Sequence, residues 1–195
     1  MPVGKIQSLE LKLDYMGHKF LPGQKIRIAL STAYWPFIWP AINNPILTLA
    51  SKPARLSLPL RNHHNLKPVQ VDPPVAPPAS TISTKRTPNS KREVKYNLHQ
   101  DKTTLTIEDD LGEIIFKKHN LVTSATKYES YEIHTDDQLS SKAHIIWKFE
   151  YGRDKWAVQT VTETKMTCDK KHYFLTARVR AYELEKIVFE KTFNK

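Results

Sequence analysis

This chain has one cysteine, five glycines and no apolar run long enough to cross a bilayer. Cys168 stands alone, so no internal disulfide can form, which fits a cytoplasmic chain. The first residues, MPVGKIQSLELKL, lack the apolar core and small-residue cleavage site of a secretory signal. None of the glycines has a serine two residues later, so the sharp strand-to-helix elbow of serine hydrolases is missing. No segment shows an apolar stripe at helical spacing over three turns, and the single Cys and eight His have no zinc-type spacing. These residues nominate no catalytic set, no cofactor site and no metal site.

What is present is period-two alternation, the mark of half-buried strands. Leu9, Leu11, Leu13 and Tyr15 alternate with polar residues. Lys25–Ser31 does the same, with Ile26, Ile28 and Leu30 on one side, and so do Leu56, Leu58 and Leu60, with Pro59 arguing for an edge or a strand end. Thr103–Glu108 and Glu113–Lys117 flank Asp109-Asp110-Leu111-Gly112, which predicts a hairpin turn there. Ile145, Trp147 and Phe149 share a face, and a turn is expected over Tyr151–Asp154. Trp156 to Cys168 forms a row whose middle, Thr160, Thr162 and Thr164, predicts partial burial. Tyr173 to Ala181 and Ile187 to Phe193 complete an antiparallel meander.

Prolines 68, 73, 74, 77, 78 and 88 mark an extended connector. The expected organisation is a β-sandwich segment at 1–66, a basic Pro/Ser/Thr-rich connector at 67–92 and an antiparallel sheet at 93–195, the first and last packed as one unit. The net charge of +10 sits entirely in residues 1–92, with 13 basic and 3 acidic residues; the rest has 17 of each. A basic half suggests an acidic partner. Lys85, Arg86, Lys91 and Arg92, however, read as loop residues and the other charges are spread singly, which argues against nucleic acid.

Between Phe20 and Pro40 the pair Pro22-Gly23 predicts a turn, and Tyr34, Trp35, Phe37 and Trp39 are interrupted by Pro36 and Pro40. Proline donates no ladder hydrogen bond, so this is a rigid apolar loop rather than a central strand. It fills a core, or docks a partner, or offers a stacking platform to sugars or bases beside Lys25, Arg27, Lys52 and Arg55. Asp109-Asp110 and Asp136-Asp137 read as turn chemistry, since adjacent strand residues face opposite ways and do not converge. His63-His64 reads as a solvated loop. Cys168 reads as a small buried residue, with only His172 near it in sequence.

Three stretches, taken in order, carry a resemblance: PGQKIRIALSTAYWPFIWP after LDYMGHKF; Ile133–Ser140; and Phe149–Trp156 running through the threonine row to Arg180-Ala181-Tyr182-Glu183 and Val188-Phe189. The chain resembles, over nearly its whole length, the C-terminal part of the X-Pro dipeptidyl-peptidase and cocaine-esterase-like acyl hydrolases of the CocE/NonD type. The resemblance implies an all-β fold, a partial jelly-roll or galactose-binding-like β-sandwich followed by a long-stranded meander. It also implies a non-catalytic accessory domain whose partner, an α/β-hydrolase with a Ser-His-Asp triad, lies outside this sequence, as in a split or truncated gene product. Tyr34, Trp35, Phe37 and Trp39 are then the candidate interdomain or ligand-contact surface. The family tends to place glycine after Ala-Tyr-Glu, where this chain has Leu184, so a different turn or an exposed Leu184 is expected. An incomplete jelly roll predicts an unpaired sheet edge and self-association through it. The rival reading is a free-standing binding module for carbohydrate or nucleic acid.

Overall fold

The computed structural model describes residues 4–42, 45–50, 55–60, 70–79 and 81–195. They form two units: Met1–Thr32 with Pro45–Asp72, and Ala33–Asn44 with Pro73–Lys195. In the first unit the Pro22-Gly23 turn is present. Gly23 takes φ +85°, the conformation a glycine at this turn position supplies, and Gln24 N–H donates to the Leu21 carbonyl at 3.1 Å. The strands expected at 9–15, 25–31 and 56–60 are not: no described residue there joins a ladder, and Leu9 stays 64% exposed. Alternation specifies which side of a strand would be buried. It does not supply the second strand whose N–H and C=O groups a ladder requires.

The second unit carries the all-β character of the chain. Among the described residues it has eight strands and no helix: β1 Ile82–Arg86, β2 Asn89–Asn97, β3 Lys102–Phe116, β4 Leu121–His134, β5 Asp137–Arg153, β6 Trp156–Cys168, β7 Tyr173–Glu183 and β8 Lys186–Asn194. All pairings between named strands are antiparallel, and β3 through β7 each pair with the next strand in sequence. Lys85 and Arg86 lie on β1 and Lys91 and Arg92 on β2, not in a loop. The proline-dense run ends at Pro78. Pro88 alone interrupts the edge, splitting it into two strands that both pair with β3.

No hairpin forms at Asp109–Gly112. Strand β3 runs through it, with Leu111 and Gly112 standing opposite Ala125 alone. This is a β-bulge, two residues against one. Asp110 accepts the Gly112 N–H at 2.8 Å and pairs with Arg86, and Gly112 takes φ +84°. A Cβ on Gly112 would lie 2.6 Å from the Arg86 carbonyl oxygen. The bulge on β3 therefore sits against the Pro88 break in its neighbour. The expected turn over Tyr151–Asp154 is displaced too: the ladder continues to Arg153 opposite Trp156, leaving Asp154 and Lys155 to turn.

Directly opposed residues in an antiparallel ladder share a face, so the register sorts every side chain. Trp147 opposes Lys127 and Thr162, and Phe149 opposes Ala125 and Thr160. Thr162 opposes Val179, and Thr164 opposes Ala177. This face is apolar and aromatic, with the Trp147 and Phe149 rings stacked at 5.3 Å. The other face carries His144, Glu163, Lys148, Glu150, Arg178 and Glu190 in ion pairs. Apart from Pro40, no apolar side chain among the described residues is buried, and the threonine row is half-buried at Thr162 and Thr164 as expected.

Among the described residues, four other than glycine sit at positive φ: Asp101, Asn120, Asp154 and Leu184, each in a turn between strands. Asp and Asn tolerate the left-handed region because their short side chains bond locally. Leu184, at φ +53° and 64% exposed, has no such help, and it occupies the conformation that a glycine would take. Leu184→Gly is expected to raise the unfolding free energy by about 1 kcal/mol. Gly112→Ala is expected to lower it by about 2 kcal/mol, from the same region plus the clash at the β1 break. Urea unfolding of both variants checks the pair; an unchanged Gly112→Ala midpoint would remove the bulge from this account.

Candidate functional site

The aromatic loop belongs to the same unit as the sheet. It closes on itself through a bridge between Tyr34 and Ile38, whose N–H donates to the Tyr34 carbonyl at 2.9 Å. The Trp35–Pro36 peptide is cis. The loop separates its four aromatics into two pairs. Trp35 meets Tyr131 of β4 edge-to-face at 6.1 Å, and Trp39 meets Tyr173 of β7 edge-to-face at 5.8 Å. Both tyrosines stand on the apolar face, by register with Ala143 and Cys168. Edge-to-face contacts align the positive rim of one ring with the negative face of the other. Pro40, after the second tryptophan, is buried.

Tyr34 and Phe37 point the other way. Their rings stack at 5.5 Å, and they are 65% and 80% exposed. Trp35 and Trp39 thus pack half-buried against the sheet, while Tyr34 and Phe37 form a paired, exposed aromatic surface. Trp35 carries one cost: its Nε1 is buried without a hydrogen-bond partner. Of the basic residues expected nearby, Lys52 lies outside the described residues, and Lys25, Arg27 and Arg55 belong to the other unit.

The other residues singled out by sequence do not converge. Asp109 and Asp110 face opposite sides of β3, not a loop. Asp136 lies in the β4–β5 turn, and Asp137 opens β5 with Oδ1 accepting the Leu139 N–H at 3.0 Å, as turn chemistry predicts. Cys168 is half-buried, and loss of solvation pushes its thiol above the ordinary range, helped by the charges of Asp169 and Asp137. A thiol held protonated is a poor nucleophile. His172 is engaged with Asp169 at 3.5 Å. His63-His64 lies outside the described residues.

Sequence reasoning missed a charged cluster in the apolar face. Lys127 Nζ lies 3.0 Å from Asp109 and 3.3 Å from Glu129, and it sits 5.5 Å from the centre of the Trp147 ring. Ser90 donates a hydrogen bond to Asp109 at 2.5 Å. That bond, then Lys127, holds the Asp109 carboxyl below its usual range. Asp109 in turn raises Lys127, with Glu129 adding to it. The only trace in sequence is Lys127 and Glu129 on the side of their strand that Tyr131 and Ile133 share. The partners become visible only once register is known.

A family model described as the X-Pro dipeptidyl-peptidase C-terminal non-catalytic domain matches residues 1–70. That span contains the aromatic loop and the first of the three resembling stretches; the other two lie outside it. The matched family is a non-catalytic domain of a peptidase, which implies a catalytic partner domain. No curated protein and no solved structure matches.

The division of the loop makes a direct test. Trp35→Ala and Trp39→Ala are expected to cost about 2 kcal/mol each in urea unfolding, because both rings lie half-buried against the sheet. Tyr34→Ala and Phe37→Ala are expected to stay within about 0.5 kcal/mol of wild type. Equal losses in all four would mean that the loop has no outward side. The charged cluster gives a pH signature. Asp109 has a depressed folded-state pKa, so its contribution is present above the unfolded value of about 3.9 and is lost as pH falls through and below it. Lys127 is raised, so its contribution holds below the unfolded value of about 10.4 and is lost as pH climbs past it. Asp109→Asn is expected to flatten the acid limb of a stability–pH profile; identical acid limbs in variant and wild type would contradict the pairing.

Proposed function

We propose that this chain is a non-catalytic accessory β-domain of a serine acyl hydrolase, of the X-Pro dipeptidyl-peptidase or acyl-esterase type. In this reading an α/β-hydrolase unit supplies the nucleophile, base and oxyanion hole, whether on a separate chain or on a longer form of this one. The observation that carries it is the family match over residues 1–70. The Tyr34–Phe37 pair is the contact surface proposed for that catalytic unit, because an exposed, preorganised aromatic pair on an anchored loop has the character of an interface hot spot. The chemistry would be hydrolysis of an ester or amide through a serine acyl-enzyme. None of the reacting groups is assigned to this chain.

A second reading, a carbohydrate-binding module, draws on the same exposed pair, since stacked rings accept the apolar face of a sugar. The two readings separate experimentally. The chain, affinity-purified from its native source, is treated with a fluorophosphonate serine-hydrolase probe. The accessory reading expects a labelled hydrolase carrying a Gly-x-Ser-x-Gly elbow in the eluate, and about a tenfold smaller yield of it from the Tyr34→Ala/Phe37→Ala double variant. Recovery without any labelled hydrolase, on a partner or on a longer form of this chain, or label within the 195 residues themselves, would overturn it. Fluorescence quenching by oligosaccharide, with no hydrolase present, would favour the second reading.

A further inference from the structure

The second unit presents one large apolar sheet face and two edges. Both edges are built against pairing. On β8, Val188 is extra to the ladder, because Ile187 opposes Tyr182 and Phe189 already opposes Ala181. Between Phe189 and Phe193 stands Lys191, on the apolar side, with its Nζ 4.7 Å from the centre of the Phe193 ring. A bulge and an inward-pointing lysine are two devices that keep an edge strand from recruiting another. The opposite edge is broken at Pro88, and β2 carries Lys91, Arg92 and Lys95 along an exposed strand. The self-association expected through a sheet edge therefore meets an obstacle at either side.

The face offers none. The aromatic loop covers the end near Tyr131 and Tyr173, and the remainder carries Trp147, Phe149, Val179, Tyr151, Trp156 and Phe189. Seven strand positions about 4.8 Å apart and about eight residues rising about 3.4 Å each give an area on the order of 900 Å². Stable interfaces bury about 800 Å² on each partner. Charge permits a copy of the same chain here. The net charge of +10 opposes self-contact elsewhere, yet in the middle of this face Arg92, Lys127 and Lys191 stand against Asp109 and Glu129, a net of +1. Lys127 is already held by both carboxylates, so covering it leaves no unpaired ammonium. Two identical twisted sheets pack face to face at about 30° in β-sandwiches, and a two-fold axis makes that contact self-complementary.

We infer that this face is an interface between two copies of the chain, packed sheet on sheet, and that the sheet edges stay free. This inference does not depend on the proposed hydrolase partner, whose contact lies at Tyr34 and Phe37. Sedimentation equilibrium of the purified chain at about 50 µM is expected to give twice the chain mass, within reach of a micromolar dissociation constant. Thr162→Arg, at the centre of the face between Trp147 and Val179, is expected to weaken the dimer at least about tenfold. Gln159→Arg, on the same strand but the other face, is expected to stay within about twofold. Amide exchange supplies the readout that survives misfolding of a variant: dilution of the wild type should leave outward amides of β2 and β8 equally fast. Concentration-dependent protection of those edge amides would overturn the inference in favour of edge pairing. A monomer at this concentration would overturn it too, including one whose face becomes covered only when a hydrolase is added.

Discussion

The register of the β4–β5–β6 ladder is the constraint from which the rest follows. Trp147 stands between Lys127 and Thr162, and that one alignment sets which side of every neighbouring strand is apolar. A slip of one residue would exchange the two faces of a strand, putting His144 and Lys148 where Ile145 and Phe149 stand. The cost of such a slip is high because the two faces differ so strongly: stacked aromatics on one, ion pairs on the other. The bulges are tolerated because they fall near strand ends or at the Pro88 break, outside the central run of this ladder.

The ends of the ladder are fastened by turn chemistry. Asp101, in the β2–β3 turn, accepts hydrogen bonds from Tyr96 and from Thr135 of the β4–β5 turn, which ties two turns together. His134 Nδ1 reaches the Gln100 carbonyl at 2.9 Å across the same gap. The aromatic loop then anchors two tryptophans onto the apolar face at that end. Position along the sheet thus sorts the loop: that end of the apolar face meets Trp35 and Trp39, while Tyr34 and Phe37 stay exposed.

The long strands from Trp156 onward were legible because alternation, threonine spacing and turn residues agreed. Leu184 was legible as an anomaly, and it proved to be one. Three features were not. The Asp-Asp-Leu-Gly stretch carries the residues of a tight turn, but local composition does not distinguish a reversing chain from a bulge whose partner strand is broken. The strands expected before residue 60 had alternation without an opposed strand among the described residues. The Asp109–Lys127–Glu129 cluster joins two strands whose alignment no local pattern reveals. For the candidate surface, composition named all four aromatics. It did not sort them, because inward and outward positions in a proline-rich loop follow no fixed period.

The meander order of β3 through β8 has a consequence for how the sheet assembles. From β4 onward every strand bonds only to its neighbours in sequence, and β3 alone takes an additional partner, β1. The ladder therefore behaves as a nearest-neighbour chain, in which growth needs only short loop closures and proceeds one hairpin at a time. Its cooperativity is that of a repeat array, in which each strand is held by its two neighbours and the terminal strands by one. A nascent chain emerging from synthesis can close β3 on β4 before β8 exists. Only the β1 and β2 segments, which share β3 across the Pro88 break, must both find the same strand.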